Sequence, residues 1–348
     1  MVQKRTGDET GSLYAMKILK KSHLAKQTQI ERTKTERKVL KMVNHPFIMK
    51  LHYAFQTDDK LYLVLDYCPG GELFFHLSRH RQFPEGVARF YAAELLLAIS
   101  HMHLNKIIYR DLKPENVLLD AQGHVKLGDF GLAKCGIIHP YKGAQSVCGT
   151  PEYMAPEILL SQGHGFCVDY WGLGMLIFEM MTGLPPWYTT DRTKLCNRLT
   201  RARLEVPPYF SPPAASCVLA LLDKNPRNRL GVMGVRSVIA HDFFHPIDFR
   251  ALHAKQIKPR LVPTDGWENI SNRMKNDSSG APQLSHAKID QLTGNFHEQF
   301  TRMPVDSMED GGGNNNDNDF NENYLGFTFD QVEDEHPFDA KGHNGYAT

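Results

Sequence analysis

Residues 107–131 read Ile107-Ile108-Tyr109-Arg110-Asp111-Leu112-Lys113-Pro114-Glu115-Asn116-Val117-Leu118-Leu119-Asp120-Ala121-Gln122-Gly123-His124-Val125-Lys126-Leu127-Gly128-Asp129-Phe130-Gly131. Two short apolar runs, Val117–Leu119 and Val125–Leu127, flank Asp120-Ala121-Gln122-Gly123, a turn in which glycine supplies a positive φ. The pattern predicts a β-hairpin. Asp111, Lys113 and Asn116 stand just before its first strand and Asp129 just after its second, so the hairpin brings all four to one mouth. Such a set suits phosphate and Mg²⁺ chemistry.

The order Arg-Asp-Leu-Lys-Pro-Glu-Asn, followed at this distance by Asp-Phe-Gly, resembles the catalytic loop and metal-binding segment of protein kinases. The resemblance implies that Asp111 orients the substrate hydroxyl, that Asn116 and Asp129 hold Mg²⁺, and that Lys113 neutralises the γ-phosphate of ATP. An ordinary polar hairpin is the competing reading. A chance Asp-Phe-Gly is common, but the two motifs at this spacing are not.

The 348 residues allow two modest domains or one large one, and 41% apolar content is ordinary for a globular chain. A formal charge of +1, with Lys and Arg scattered rather than in runs, excludes a global attraction to nucleic acid or to an acidic membrane. The cysteines stand far apart with no Cys-x-x-Cys pair, so reduced thiols and a cytoplasmic or nuclear setting are expected. The longest apolar stretch, around Leu173–Met181, is far short of the roughly twenty residues a bilayer span needs, and residues 1–12 are polar rather than signal-like.

Upstream, Leu13–Leu19 is a short apolar run suited to a strand, whose one Lys, Lys17, would ordinarily point to solvent. With the kinase-like stretch downstream, Ala15-Met16-Lys17 resembles instead the strand whose Lys pairs the α- and β-phosphates. A helical pattern then places Glu36 and Leu40 one turn apart on one face. Glu36 is the candidate that holds Lys17 forward, unless it only pairs along its own helix. His45-Pro46 ends that helix, strand-like runs follow at Phe47–Phe55 and Lys60–Tyr67, and Cys68-Pro69-Gly70-Gly71 ends the sheet-rich segment. The resemblance makes Leu65 the gatekeeper, gives the adenine edge to the backbone of Asp66 to Cys68, and counts Ala15 and Leu118 among the ATP-binding residues. Residues 85–104 carry an apolar helical face, and residues 169–183 are apolar nearly all round, the mark of a buried central helix. The expectation is an α+β, bilobal protein-kinase fold, with an incomplete small β-rich lobe over residues 1–68 and a larger helical lobe over 69–250.

Between Asp129 and Ala155-Pro156-Glu157 lies Ser146-Val147-Cys148-Gly149-Thr150-Pro151-Glu152-Tyr153. Here the likeness narrows to the AGC group of Ser/Thr kinases, and it implies Ser146 as the activation-loop phosphoacceptor and Thr150 as part of the substrate shelf. Glu157 and Arg229 resemble that family's buried ion pair. Glu72 and Glu115 resemble its carboxylates that grip substrate arginines, which favours Arg three residues before the phosphoacceptor. Past about residue 250 the composition turns to Pro, Asn, Asp, Ser and Gly. Two apolar islands there, Phe296–Ser307 and Tyr324–Phe329, resemble the turn and hydrophobic motifs of an AGC tail over 251–332, most like those of ribosomal protein S-six kinases, with Akt-like and fungal relatives next. Ser307 and Thr328 match the two tail phosphorylation sites, although Met308 rather than Pro follows Ser307. Residues 333–348 are expected to be a disordered end. The resemblance also implies an upstream activating kinase of the phosphoinositide-dependent type, and a monomer.

One family element, the Gly-x-Gly-x-x-Gly turn before the Lys strand, does not occur in the sequence. Val2 aligns with the valine that follows this turn and packs on adenine, while Lys4–Gly11 reads as a hairpin turn and not as a substitute. Either Met1 is internal to a longer protein, or the chain is a short form with an impaired nucleotide site. The expected function is ATP- and Mg²⁺-dependent phosphorylation of Ser/Thr in basic protein sequences, with weak or absent transfer expected of a chain without the glycine turn that closes over the phosphates; the alternative is a catalytically impaired fragment acting as a binding module.

Overall fold

The computed structural model describes residues 1–7, 9–24, 27–261, 295, 324 and 327–330. Ser307 and the expected turn motif therefore lie outside the described residues. In chain order the first elements are β1 (Val2–Gln3), β2 (Leu13–Lys20), α1 (Gln27–Met42), β3 (Leu51–Gln56), β4 (Lys60–Asp66), β5 (Gly71–Glu72), α2 (Leu73–His80) and α3 (Glu85–Leu104). Then come β6 (Ile107–Ile108), β7 (Val117–Leu119), β8 (Val125–Leu127), β9 (Lys134–Cys135), α4 (Pro156–Leu159) and α5 (Cys167–Thr182). The last are α6 (Arg192–Arg201), α7 (Pro212–Leu221), α8 (Val235–Ile239), α9 (Phe249–His253) and β10 (Phe329–Asp330). The mixed α+β architecture is as expected from the sequence.

The N-terminal sheet has the order β1-β2-β4-β3-β10, with every pair antiparallel. Its backbone is β2 against β4, in register from Tyr14↔Asp66 to Lys20↔Lys60. One face is covered by α1, which buries Ile30, Thr33, Glu36, Val39 and Leu40. Those positions recur at three to four residues, so a carboxylate, Glu36, sits inside the stripe that faces the sheet. The far edge is closed by the tail: Phe329 pairs with Ala54 of β3, and Tyr324, Phe327 and Phe329 are all buried.

The expected strand over Phe47–Phe55 begins only at Leu51. The physical reason is a competing ladder. Phe47 O accepts from Leu127 N at 2.9 Å and Met49 N donates to Leu127 O at 2.9 Å, so these backbone groups bind the hairpin rather than β4. This segment thereby ties the N-terminal sheet to the helical part.

The helical part is built on α3 and α5, which pack together and are buried almost throughout. Gly183 ends α5 in the left-handed region at φ 86°, where a Cβ would stand 2.2 Å from the Arg81 carbonyl oxygen. Only glycine fits there. Among the described residues no helix is long and apolar enough to cross a membrane.

Candidate active site

The β7/β8 hairpin is the platform. Its turn is closed by Asp120, whose Oδ1 accepts from the backbone N–H of Gln122 (3.0 Å) and His124 (2.9 Å), with Gly123 at φ 90°. Buried Glu94 of α3 accepts from Val125 N at 2.8 Å and pairs with His124 Nδ1 at 2.5 Å, which pins the second strand to the helix.

The segment before β7 is held from below by Asp169 of α5. Its buried carboxylate accepts from Tyr109 N (2.9 Å), Arg110 N (2.8 Å) and His103 Nε2 (2.7 Å). A buried carboxylate with three donors is well satisfied, and it fixes a backbone in which Arg110 takes φ 71°. Sequence reasoning missed this residue; the signal available was an acid in the first turn of a helix that is otherwise apolar apart from Glu179.

On that fixed backbone Asp111, Lys113, Asn116 and Thr150 form one network. Asn116 Nδ2 donates to Asp111 O (2.8 Å) and Oδ2 (2.9 Å), Lys113 Nζ lies 3.1 Å from Oδ2, and Thr150 Oγ1 donates to Oδ1 at 3.1 Å. Lys113 Nζ also donates to Thr150 Oγ1 at 2.8 Å. Asp111 is thus buried, ionic and aimed by three neighbours.

Asp129 stands exposed at the end of β8 at φ 49°, accepting from Gly131 N at 3.2 Å. Its neighbours anchor it: Phe130 is fully buried edge-on to Tyr109 at 5.5 Å, and the Tyr109 hydroxyl donates to Gly128 O at 2.5 Å. Lys17 Nζ donates to both carboxylate oxygens of Glu36 at 2.8 Å. Burial pushes the Glu36 carboxyl up, Lys17 opposes that, and the charge of Asp129 adds to the rise. Lys17, Glu36 and Asp129 therefore share one electrostatic neighbourhood.

The expected adenine-side residues divide between the two sheets. Ala15 pairs with Leu65 and Val2 with Tyr14 in the N-terminal sheet, while Leu118 lies between Lys126 and Glu72 in the β5-β7-β8 sheet. The side chains of Asp66 and Cys68 are engaged elsewhere. Burial would raise the Asp66 carboxyl, yet His52 and Lys126, each 2.8 Å away, hold it at about 2. Cys68 is buried, which pushes its thiol up.

The metal-binding capacity is modest by design of the donors. Among the described residues no group of three His, Cys, Asp or Glu side chains could hold a metal ion. Asp129 with the Oδ1 of Asn116, whose amide nitrogen is committed to Asp111, instead fits the habit of Mg²⁺, which takes one or two protein oxygens and fills its sphere with phosphate and water.

A cavity of about 660 Å³ opens beside Thr150, and Glu115, Glu152, Tyr153 and Glu179 line it. Glu72 stands at the N-terminal end of α2, whose Phe74 and Leu77 line the same cavity. Glu179, which sequence reasoning also missed, accepts from the Tyr153 hydroxyl, and burial lifts its carboxyl to about 7. A second cavity of about 520 Å³ is lined by Arg32, Lys38, Arg110, Lys134 and Ser146. Arg110 Nη1 donates to Ser146 Oγ at 2.7 Å and its Nε to Leu132 O at 2.7 Å.

At the tail, Thr328 is exposed between buried Phe327 and Phe329. Arg37 of α1 donates to Thr328 O at 2.9 Å and lies 5.8 Å from the Phe327 ring, while Lys41 sits 5.1 Å over Phe329.

The protein kinase domain model matches residues 1–244. The RAC family serine/threonine-protein kinase homolog of Dictyostelium discoideum is 45% identical over 263 residues, covering 76% of this chain and 59% of that protein. Human ribosomal protein S6 kinase alpha-3 is 49% identical over 297 residues, covering 82% of this chain and 40% of that protein. Mouse ribosomal protein S6 kinase alpha-2 is 47% identical over 297 residues, with the same coverage. The chain spans 59% of the first of these relatives and 40% of the other two.

Proposed function

The chain belongs to the protein kinase domain family, and on that premise we propose that it transfers the γ-phosphoryl group of ATP to Ser or Thr in protein substrates with Arg three residues before the acceptor. The observation that carries this reading is the Asp111–Lys113–Asn116–Thr150 network facing Asp129 and the Lys17–Glu36 pair. Mg²⁺, held by Asp129 and Asn116 when ATP is bound, supplies neutralisation of charge on the phosphate oxygens. Lys17 binds phosphate oxygens and Glu36 orients it. Asp111 accepts a hydrogen bond from the incoming hydroxyl, and Lys113 balances charge on the transferred group. Glu115, Glu72 and Glu179 favour guanidinium groups on the peptide by charge and by bidentate pairing.

Mg-ATP at about a hundredfold its dissociation constant is expected to stabilise the folded chain by about 3 kcal/mol. That is a rise in melting temperature of roughly 5–10 °C. An unchanged melting temperature in millimolar Mg-ATP would count against a nucleotide site.

Control enters at two further places. A phosphate on Ser146 would meet Arg110, Lys134 and Arg32, the last lying one helical turn before Glu36 on α1. An upstream kinase of the phosphoinositide-dependent type fits that role. Docking of Phe327 and Phe329, with phosphate on Thr328, would hold α1 against the sheet and keep Glu36 on Lys17. Phe327→Ala is expected to lower phosphate transfer roughly five- to fiftyfold while Mg-ATP binding persists. Equal transfer rates in Phe327→Ala and the parent would remove the tail from the account.

A further inference from the structure

Three histidines from distant parts of the chain meet beside the segment that docks on the β7/β8 hairpin. The ring of His45, in the turn between α1 and β3, lies 5.1 Å from the ring of His101 on α3 and 5.2 Å from that of His253 on α9. Phe47 N donates to His45 Nδ1 at 3.2 Å, so the ring is neutral with its proton on Nε2. Nε2 is buried and has no hydrogen-bond partner among the described residues. The charged and titratable groups that face His45 are His101, His253, Lys126 of β8 and Lys255 just beyond α9, and none of them is a carboxylate. Lys126 and Lys255 are themselves bound, to Asp66 at 2.8 Å and to Asp120 at 2.7 Å. A second proton on His45 would be buried, would meet only like charge and would end the bond from Phe47.

We propose that His45, His101 and His253 form an acid-sensitive clasp, which in its neutral form holds the 45–49 segment on the hairpin and on protonation releases it. The mechanical link is short. Phe47 O accepts from Leu127 N and Met49 N donates to Leu127 O, both at 2.9 Å, and Leu127 stands two residues before Asp129. Opening the clasp therefore loosens the strand that carries Asp129. Burial, and after it the neighbouring His101 and His253, hold the His45 ring down to about 3, and burial also lowers His101. An ordinary imidazole titrates near 6.5, so the contribution of the neutral cluster is complete above about pH 6.5 and is lost as the pH falls below that value. The opened segment takes up a proton that the closed one refuses. Between pH 7.5 and 5.5 His45 alone favours the open form by about tenfold.

The test is amide hydrogen exchange at Met49 and Leu127 in the whole chain, corrected for the intrinsic pH dependence of exchange, beside the same measurement on His45→Asn. Asn Oδ1 can take the bond from Phe47 N and does not titrate, so this variant keeps the turn and removes the switch. From pH 7.5 to 5.5 the opening equilibrium read at these two amides is expected to rise about tenfold more in the parent than in the variant. A difference below threefold overturns the clasp. The histidine ring resonances of the parent give a second reading that needs no variant. His45 is expected to stay neutral at pH 5.5 in the folded chain, and a His45 ring that titrates near pH 6.5 with exchange at Leu127 unchanged overturns the proposal as well. Neither readout uses nucleotide or phosphate transfer, so failure of the clasp is distinct from failure of the kinase reading.

Discussion

Asp111→Asn is expected to lower phosphate transfer by about a hundred- to ten-thousandfold, the range of a positioned acid-base group, with Mg-ATP affinity within a few-fold of the parent. The substitution keeps the size of the side chain and removes its charge. In the parent, Thr150 Oγ1, Asn116 Nδ2 and Lys113 Nζ all address the carboxylate, at 2.9 to 3.1 Å. An amide offers one acceptor oxygen where the carboxylate offers two, so the network re-forms imperfectly and the acceptor hydroxyl loses its anionic partner. Lys17, Glu36 and Asp129 do not hydrogen-bond Asp111 directly, which is why nucleotide binding is expected to persist. Transfer within tenfold of the parent would show that Asp111 does not orient the hydroxyl.

Arg229→Met is expected to destabilise the fold by about 3–5 kcal/mol, the typical cost of removing one partner from a buried ion pair. Arg229 is fully buried and Glu157 nearly so, at 0% and 2% exposure. The guanidinium grips both carboxylate oxygens, at 2.6 and 2.9 Å, and also donates to the carbonyls of Cys167 and Asp223 at 2.9 Å each. Methionine would leave Glu157 as an uncompensated charge and two carbonyls without donors. Adding Glu157→Gln to Arg229→Met is expected to recover part of the loss, since the stranded charge dominates the cost. Denaturant titration reads both; a single-variant loss below about 1 kcal/mol would mean the site re-solvates and the pair contributes little.

The residues legible in the sequence are those whose chemistry is local. The turn Asp120–Gly123 and its flanking apolar triplets specify the hairpin, and with it the convergence of Asp111, Asn116 and Asp129. Lys17 and Glu36 were readable only through the family resemblance, since a strand Lys ordinarily points to solvent and a helix Glu ordinarily pairs along its own helix. What was not legible depends on packing between distant segments. Asp169 lies 59 residues from Arg110 in the chain, and nothing in Val168-Asp169-Tyr170 says which backbone it will cap. Glu179 reads as one more helix acid until α5 brings it beside Tyr153 and Thr150. Phe47 and Met49 look like strand from composition, and only the hairpin docking at Leu127 takes their backbone hydrogen bonds away from β4.

The most direct measurement of the central claim is transfer of labelled γ-phosphate from Mg-ATP to a Ser peptide with Arg three residues upstream, by the 348-residue chain beside its Asp111→Asn variant. The account predicts label on the serine from the parent, and label from the variant lower by a hundredfold or more. Label at equal rates from both would contradict it.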